Sequence, residues 1–445
     1  RIAADGSVVA NFGKMDCGQG IDLAVAQIVA DELDVALDKV HVTMGDTRLS
    51  PNQGGGSGST GLRLGAVPLR NAAAEARRVL VDAAAMKLGV DAAGLSVDNG
   101  RVFALADPAK SVTYADLIGG KDFSTPMEWN KQIGNAMNVN GKAKPKDPSL
   151  YKIVGKGFKR KDIALKVSGK EHYTAHIRPD NLLHARAVRP PVAGAQPLGV
   201  DDASIAHIKG AKSFLKGGFV AVVADNWWRA KEALREVAVD WDVGEHGTLS
   251  SATIMAHFKA GMDLSELALA RDDGNTAEAM SKAAKVVEAD YFTPYLAHAT
   301  MEPMVCTAWL QGDKLEVWSS TQNPEATLAV SAATAGVPQS NVKVHPVQLG
   351  GGLGRKSPQD FTRQAVMIAK AMPGKPVKML WSREEEIQHG LYRPASLMRF
   401  KGGLNANGKV EALHIRVSAP SILATLLKLP LPKGVDGQAV ACFND

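Results

Sequence analysis

Two glycine-rich loops carry the residue types best suited to hold a large anionic ligand. The first is Gly54-Gly55-Gly56-Ser57-Gly58-Ser59-Thr60-Gly61, in which three hydroxyls add donors to the amides. The second is Gly350-Gly351-Gly352-Leu353-Gly354-Arg355-Lys356-Ser357. Each leads into a stretch with helical periodicity, and the unpaired amides and dipole of a helix start favour anions. A glutamine stands upstream of each loop, Gln19 in Gly18-Gln19-Gly20 and Gln322 in Thr321-Gln322-Asn323. A carboxamide donates and accepts at once, which suits an oxo or pterin-like edge better than a bare phosphate. Two such cradles facing one another would hold one large anion between them.

Simpler readings of the same residues are weaker. Gly56 to Gly61 satisfies Gly-x-Gly-x-x-Gly, but a dinucleotide fingerprint needs a strand running directly into it, and Arg48 to Gln53, with Pro51, intervenes. The Gly350 loop is a near miss to a P-loop, with Lys356 and Ser357 in place but Arg355 where the second glycine belongs. The strand expected at Val377 to Trp381 does not end in an aspartate that could serve magnesium. A nucleotide-binding ATPase is therefore the minor alternative, and Ser357 reads as an N-cap with Pro358 as first helical residue. His298 and Glu302 stand four apart, yet Pro303 argues against a shared helical face and for a structural role. Cys17, Cys306 and Cys442 form no CxxC pair, are too few for an iron-sulfur cluster, and read as packing residues.

The elements that must position these loops repeat. Strand Ser7 to Phe12, Gln19, helix Ile21 to Leu33, Val40-His41-Val42, the Gly54 loop and an Ala-rich helix Leu64 to Leu88 follow in order. Strand Leu315 to Ser319, Gln322, helix Glu325 to Ala335, Val342-Lys343-Val344, the Gly350 loop and helix Pro358 to Met372 repeat that order. The glutamine-to-valine separation is 21 residues in the first and 20 in the second, which points to one duplicated unit.

The rest of the chain is consistent with that plan. Its 445 residues, 45% of them apolar, suffice for about three domains. Charged residues make up 22%, and no run approaches the roughly 18 apolar residues of a spanning helix. The net charge of +6 is mild, and eight Lys or Arg between Lys142 and Lys161 account for much of it, so no nucleic-acid partner is expected. Residues 121–162 read as a linker with a solvated basic face, 163–245 as a compact α/β module, and 246–284 as a connector. Arg1-Ile2-Ala3 runs into an Asp5-Gly6 turn without an initiator Met, so a processed or truncated start is expected.

The order Met15-Asp16-Cys17-Gly18-Gln19-Gly20, Gly54 to Gly61, Val167 to Thr174, His298 to Pro303, Thr321-Gln322-Asn323 and Gly350 to Lys356 resembles the large, molybdopterin-binding subunit of the xanthine dehydrogenase and aldehyde oxidase family. The Gly-Gln-Gly segment precedes the Gly350 loop, whereas in most of that family it follows it. This permuted order is similar to the isoquinoline 1-oxidoreductase beta subunit and to related nicotinate and membrane-associated aldehyde dehydrogenases. The resemblance spans nearly all of the chain. It implies a mixed α+β and α/β fold, with duplicated molybdenum-cofactor-binding units at 1–120 and 285–445 around a small hammerhead-like module at 163–245.

It also implies a molybdenum cofactor with a cytosine dinucleotide tail, its metal held through the pterin dithiolene and not by protein ligands. Gln322 matches the glutamine beside the oxo ligand. Gly352, Leu353 and Gly354, flanked by Gly351 and Arg355, match the loop passing the molybdenum. Gln19, between Gly18 and Gly20, matches the glutamine touching the pterin, and Gly56, Ser57, Gly58, Ser59 and Thr60 match a phosphate cradle. The implied reaction is oxidation of an N-heterocycle or aldehyde with water as oxygen source. The implied partners are a small subunit with two [2Fe-2S] clusters, a cytochrome c subunit, and a small-molecule substrate, in the periplasm. Two departures stand out: Leu353 replaces the family's usual Phe, and Ser357 replaces the glutamate of purine-oxidising members, which disfavours xanthine. The family's general-base glutamate has no counterpart, since Gly244-Glu245 lies in the wrong context. The expectation is a front portion of a large subunit, inactive alone, completed by a continuation or second polypeptide; a non-catalytic scaffold subunit of the same fold is the remaining alternative.

Overall fold

The computed structural model describes residues 1–121, 123, 126–426 and 428–440, so Cys442 lies outside the described residues. The elements that matter here run in chain order β1 (Val8–Phe12), α1 (Ile21–Leu33), β2 (Val40–Met44), α2 (Ala66–Leu88), β3 (Leu183–Val188), β4 (Lys212–Lys216), β5 (Phe219–Ala224) and α3 (Trp227–Glu236). They continue as β6 (Val305–Gln311), β7 (Lys314–Ser319), α4 (Pro324–Ala335), β8 (Val342–His345), α5 (Asp360–Ala371) and β9 (Pro376–Leu380).

The duplicated unit is present twice as a strand, a helix and a parallel strand. In β1, Val8, Ala10 and Phe12 alternate inward, and the strand pairs in parallel with β2 from Val8↔Val40 to Phe12↔Met44. Gly20 at φ 78 starts α1 and Asp34 at φ 50 ends it. The apolar face Val25, Val29 and Leu33 packs with Phe12 and with Leu80 of α2 in one core. The second copy pairs β7 with β8 in parallel from Leu315↔Val342 to Trp318↔His345. Here α4 begins at Pro324, where a missing N–H costs nothing, capped by Asn323, whose Oδ1 accepts from the Ala326 amide.

The second copy is built into a seven-stranded sheet in the order β8-β7-β6-β9-β3-β5-β4. Strands from 163–245 and from 285–445 thus share one hydrogen-bonded layer, joined where β9 and β3 pair in parallel. Phe361, Ala365 and Ile368 of α5 pack on Val317, Val377 and Cys306, all fully buried. Each large apolar side chain buried this way contributes about 1.5–3 kcal/mol.

By its contacts the chain divides into two compact units. The first holds Arg1–Val188, Val200–Ala238 and Thr300–Arg383, and so all of the glycine-rich loops. The second holds Arg189–Gly199, Val239–Ala299 and the residues from Glu384 on, with an antiparallel sheet of Lys285–Thr293, Ser396–Leu404 and Val410–Ser418. A small core of Phe258, Met262, Ala395 and Leu397 lies in that second unit.

The basic stretch expected to be a solvated linker is instead a strap bound to α1 and α2. Buried Asp31 accepts the amides of Lys152, Ile153 and Val154 at 3.0, 3.1 and 2.6 Å. Buried Glu32 accepts the Lys146 amide at 3.1 Å, and Glu75 of α2 accepts that of Ala143 at 2.8 Å. Gln27 donates to the Ile153 and Lys156 carbonyls. These acids face inward on helices whose other inward residues are apolar, and the strap's amides compensate their burial.

Arg78, and after it the Ala143 amide, hold the Glu75 carboxyl down at about 2, against an ordinary 4.5. A lowered carboxylate pKa stabilises the fold fully above 4.5, and that contribution is lost as pH falls toward 2. Thermal melts stepped from pH 5 to about pH 2.5 are therefore expected to show a declining melting temperature. Glu75→Gln should have a lower melting temperature at neutral pH and a shallower decline.

Candidate functional site

The two glycine-rich loops meet at one side chain. Gln322 leaves the buried end of β7 with 4% of its surface exposed. Its Nε2 donates to the Gly56 carbonyl at 2.7 Å, and its Oε1 accepts from the amides of Gly354 at 2.9 Å and Lys356 at 3.3 Å. Backbone bonds reinforce the join, from Gly56 N to Gln322 O at 2.8 Å and from Gln322 N to Lys356 O at 3.0 Å. The chain at Gly352 must be glycine for this packing, because a Cβ there would sit 2.5 Å from Gln322 Oε1.

The second loop is held open by left-handed backbone at Gly351 (φ 92), Leu353 (φ 53) and Gly354 (φ 96). For Leu353 that conformation costs about 1–2 kcal/mol, and its side chain is 70% exposed at the loop crest. Arg355 turns the other way: its buried guanidinium pairs with both oxygens of Asp360 and lies 5.2 Å from the Trp381 ring centre. Lys356 is fully buried and bonds Glu302 Oε2 at 3.0 Å. Glu302 also accepts the Ala175 amide at 3.2 Å, and its own amide donates to Gly350 O.

Glu302 therefore anchors the second loop, in keeping with the structural role expected for it. A P-loop lysine must reach phosphates, so this buried pair removes the ATPase alternative. Helix α5 starts at Asp360 and not at Pro358, and Ser357 does not cap it. The reason is local: Gln359 Nε2 donates to Ser357 O and Thr321 Oγ1, and Arg355 fixes Asp360, so the chain stays irregular for two more residues.

The Gly18-Gln19-Gly20 turn is shaped by Asp16, whose carboxylate accepts the amides of Gly18 at 2.7 Å and Gly20 at 3.0 Å. Gln19 is exposed and its Oε1 accepts from Cys17 N at 2.8 Å. Arg160, from the strap, donates to Gly18 O at 2.9 Å and is neutralised by Asp162. Cys17 is half-buried, its sulfur packed near Gly56, where a Cβ would come within an ordinary contact distance of 3.6 Å. Burial, with the Asp16 carboxylate beside it, pushes that thiol up to about 11. Cys306, by contrast, is fully buried in the core.

In the first loop Ser57, Gly58 and Ser59 are exposed, with Ser59 at φ 56, while Thr60 is buried and donates to Ser57 O at 2.6 Å. A Cβ at Gly18 or Gly58 would meet nothing within 4 Å, so both turns present bare backbone to open space. The donor set of backbone amides, hydroxyls and carboxamides, on loops with no room for a side chain at Gly352, fits a large, flat, anionic pterin-type group. Among the described residues no three His, Cys, Asp or Glu side chains cluster as a metal site.

Gln19 and the Gly56 to Thr60 loop thus lie on loops joined to the Gln322 and Gly351 to Gly354 segment, whereas the Arg355 side chain points into the protein. Arg160 and Lys14 escaped sequence reading. Nothing marks Arg160 within a run of basic residues, while Lys14, next to a buried strand end, was the one available signal.

Gln322→Ala would strip partners from Gly56 O, Gly354 N and Lys356 N, and is expected to destabilise by about 1–3 kcal/mol. Exposed Gln19→Ala should stay within roughly 0.5 kcal/mol. Denaturant melts of the two variants against wild type check this contrast.

Family models described as molybdopterin cofactor-binding domains match residues 1–153 and 263–421, one on each copy of the duplicated unit. A nicotinate dehydrogenase subunit from Pseudomonas putida is 33% identical over 98% of this chain and 36% of its own length. A membrane-bound aldehyde dehydrogenase (pyrroloquinoline-quinone) of Gluconacetobacter polyoxogenes is 27% identical over 98% of this chain and 56% of its own. The isoquinoline 1-oxidoreductase beta subunit of Brevundimonas diminuta is 27% identical over 96% of this chain and 59% of its own. The chain thus spans between 36% and 59% of the length of these relatives. Two matched cofactor-binding domains on one duplicated unit, with relatives aligned along almost the whole chain, mean that it belongs to the molybdenum-binding subunits of the xanthine dehydrogenase family of molybdopterin-dependent oxidoreductases.

Proposed function

We propose that this chain contributes the cofactor-holding part of a molybdenum hydroxylase that oxidises an N-heterocycle or an aldehyde, with water as oxygen source. The observation that carries the reading is Gln322, which binds the Gly54 and Gly350 loops into one composite site. Bound molybdenum would supply two-electron oxidation at an electron-poor carbon. The chain's own residues would then orient and enclose the group. The open backbone at Gly18 and Gly58 and the exposed Ser57 and Ser59 would receive its anionic and pterin parts, in the cytosine dinucleotide form. Leu353, apolar and exposed on a fixed loop, would border the substrate side and favour flat, weakly polar molecules over purines. Electrons would leave through a small [2Fe-2S] subunit, with a cytochrome c subunit as onward acceptor, in the periplasm. Among the described residues no helix is long and apolar enough to cross a membrane.

Glu302 cannot serve as the general base, because it is tied to Lys356 and two loop segments. Glu245 has an 88% exposed side chain, with His246 Nε2 4.0 Å away. The base would come from the part of the relatives' length that this chain does not span.

Elemental analysis and nucleotide release on the purified complex test the proposal. About one molybdenum and one cytosine nucleotide per chain are expected, with turnover of nicotinate-like heterocycles or aldehydes exceeding that of xanthine by at least about tenfold. Active complex lacking molybdenum would contradict it, and an inactive complex lacking it would favour the scaffold alternative.

A further inference from the structure

Lys14 is the least expected charge in the first unit. It follows Phe12 and Gly13 off the end of β1 and is fully buried. Its ammonium donates to Gly55 O at 2.9 Å, Asn135 Oδ1 at 2.8 Å and Thr60 Oγ1 at 3.3 Å. Three donors thus meet three neutral acceptors. Among the described residues no carboxylate pairs with it, in contrast to buried Lys356, which has Glu302. The stem is fitted closely as well, since a Cβ on Gly65 would come within 2.9 Å of its Cδ.

A buried charge without a counter-ion is costly, and a neutral side chain of similar shape would relieve that cost. Burial lowers the Lys14 pKa accordingly. Both contacted loop residues, Gly55 and Thr60, bracket the exposed Ser57-Gly58-Ser59 crest, and the next residue, Gly56, carries the bond from Gln322. The charge sits beneath the stretch of this loop that faces open space.

We propose that Lys14 is a positioning residue whose uncompensated positive charge, buried beneath the Gly55 to Thr60 loop, draws the phosphate-bearing part of the molybdenum cofactor onto the loop crest. This rests on the molybdenum reading above. The ligand then supplies the counter-ion that the neutral partners of Lys14 do not, and the low local dielectric makes the attraction stronger than a surface lysine could give. Asn135 is part of the device: it accepts from the ammonium without cancelling its charge.

Asn135→Asp provides the test, because it keeps the size and the hydrogen bond while neutralising Lys14 locally; Lys14→Met removes the charge outright. In the intact complex, molybdenum and oxidised-pterin fluorescence per chain are followed through gel filtration and a salt series, beside melting temperatures of the cofactor-stripped forms. Asn135→Asp should melt at or above the wild-type temperature yet lose cofactor about ten- to hundredfold faster. Lys14→Met should lose it at least as fast. Wild-type cofactor retention in Asn135→Asp would overturn the proposal and leave the molybdenum reading standing. So would a fall in the stripped Asn135→Asp melting temperature matching its loss of cofactor, since the loop would then be failing as structure. Wild-type complex without molybdenum or pterin would overturn both.

Discussion

One carboxamide holds the site together. Gln322 sits at the exit of a buried strand and spends its oxygen on the Gly350 loop and its nitrogen on the Gly54 loop, 266 residues away in sequence. A carboxylate could not donate to Gly56 O, and a hydroxyl could not span both loops, so the residue type follows from the join. The glycines follow as well, because at Gly352 any Cβ would displace the amide that makes the bond. Two copies of one strand-helix-strand unit are thereby tied together through their glycine-rich loops.

Charge is managed differently at each place around that cradle. Lys356 and Arg355 are neutralised by Glu302 and Asp360, so two strongly basic side chains in the second loop serve to anchor it and leave its crest to backbone and Leu353. Arg160 closes the Gly18 turn but carries its own counter-ion in Asp162. Lys14 alone among these is left with neutral partners, which gives the first loop a positive interior and the second a neutral one. A ligand anionic at one end and flat and weakly polar at the other matches that asymmetry.

Much of this was legible in the sequence because glycine, periodic apolar residues and glutamine leave strong local signals. The repeat, both loops and the place of Gln322 were read from spacing, and the parallel pairings of β1 with β2 and β7 with β8 have the order that spacing implied. What was hidden depends on partners far away in the chain. The strap looked solvated because its binding runs through backbone amides, which carry no residue signature, to Asp31, Glu32 and Glu75, whose burial is visible only once the helices pack. The start of α5 was misplaced because Ser-Pro is a sound local signal for a helix start, and Gln359 and Arg355 override it through tertiary bonds. Arg355 itself sits in the glycine-rich loop, yet its side chain answers to Asp360 and Trp381.

The central claim is that the two loops are one mechanical object joined at Gln322. Hydrogen exchange on wild type and Gln322→Ala, read at peptides covering 54–60 and 350–357, tests it most directly. If the join holds as described, the substitution raises exchange in both stretches together and leaves the β6 and β9 peptides protected. Faster exchange confined to 350–357, with 54–60 unchanged, would contradict it.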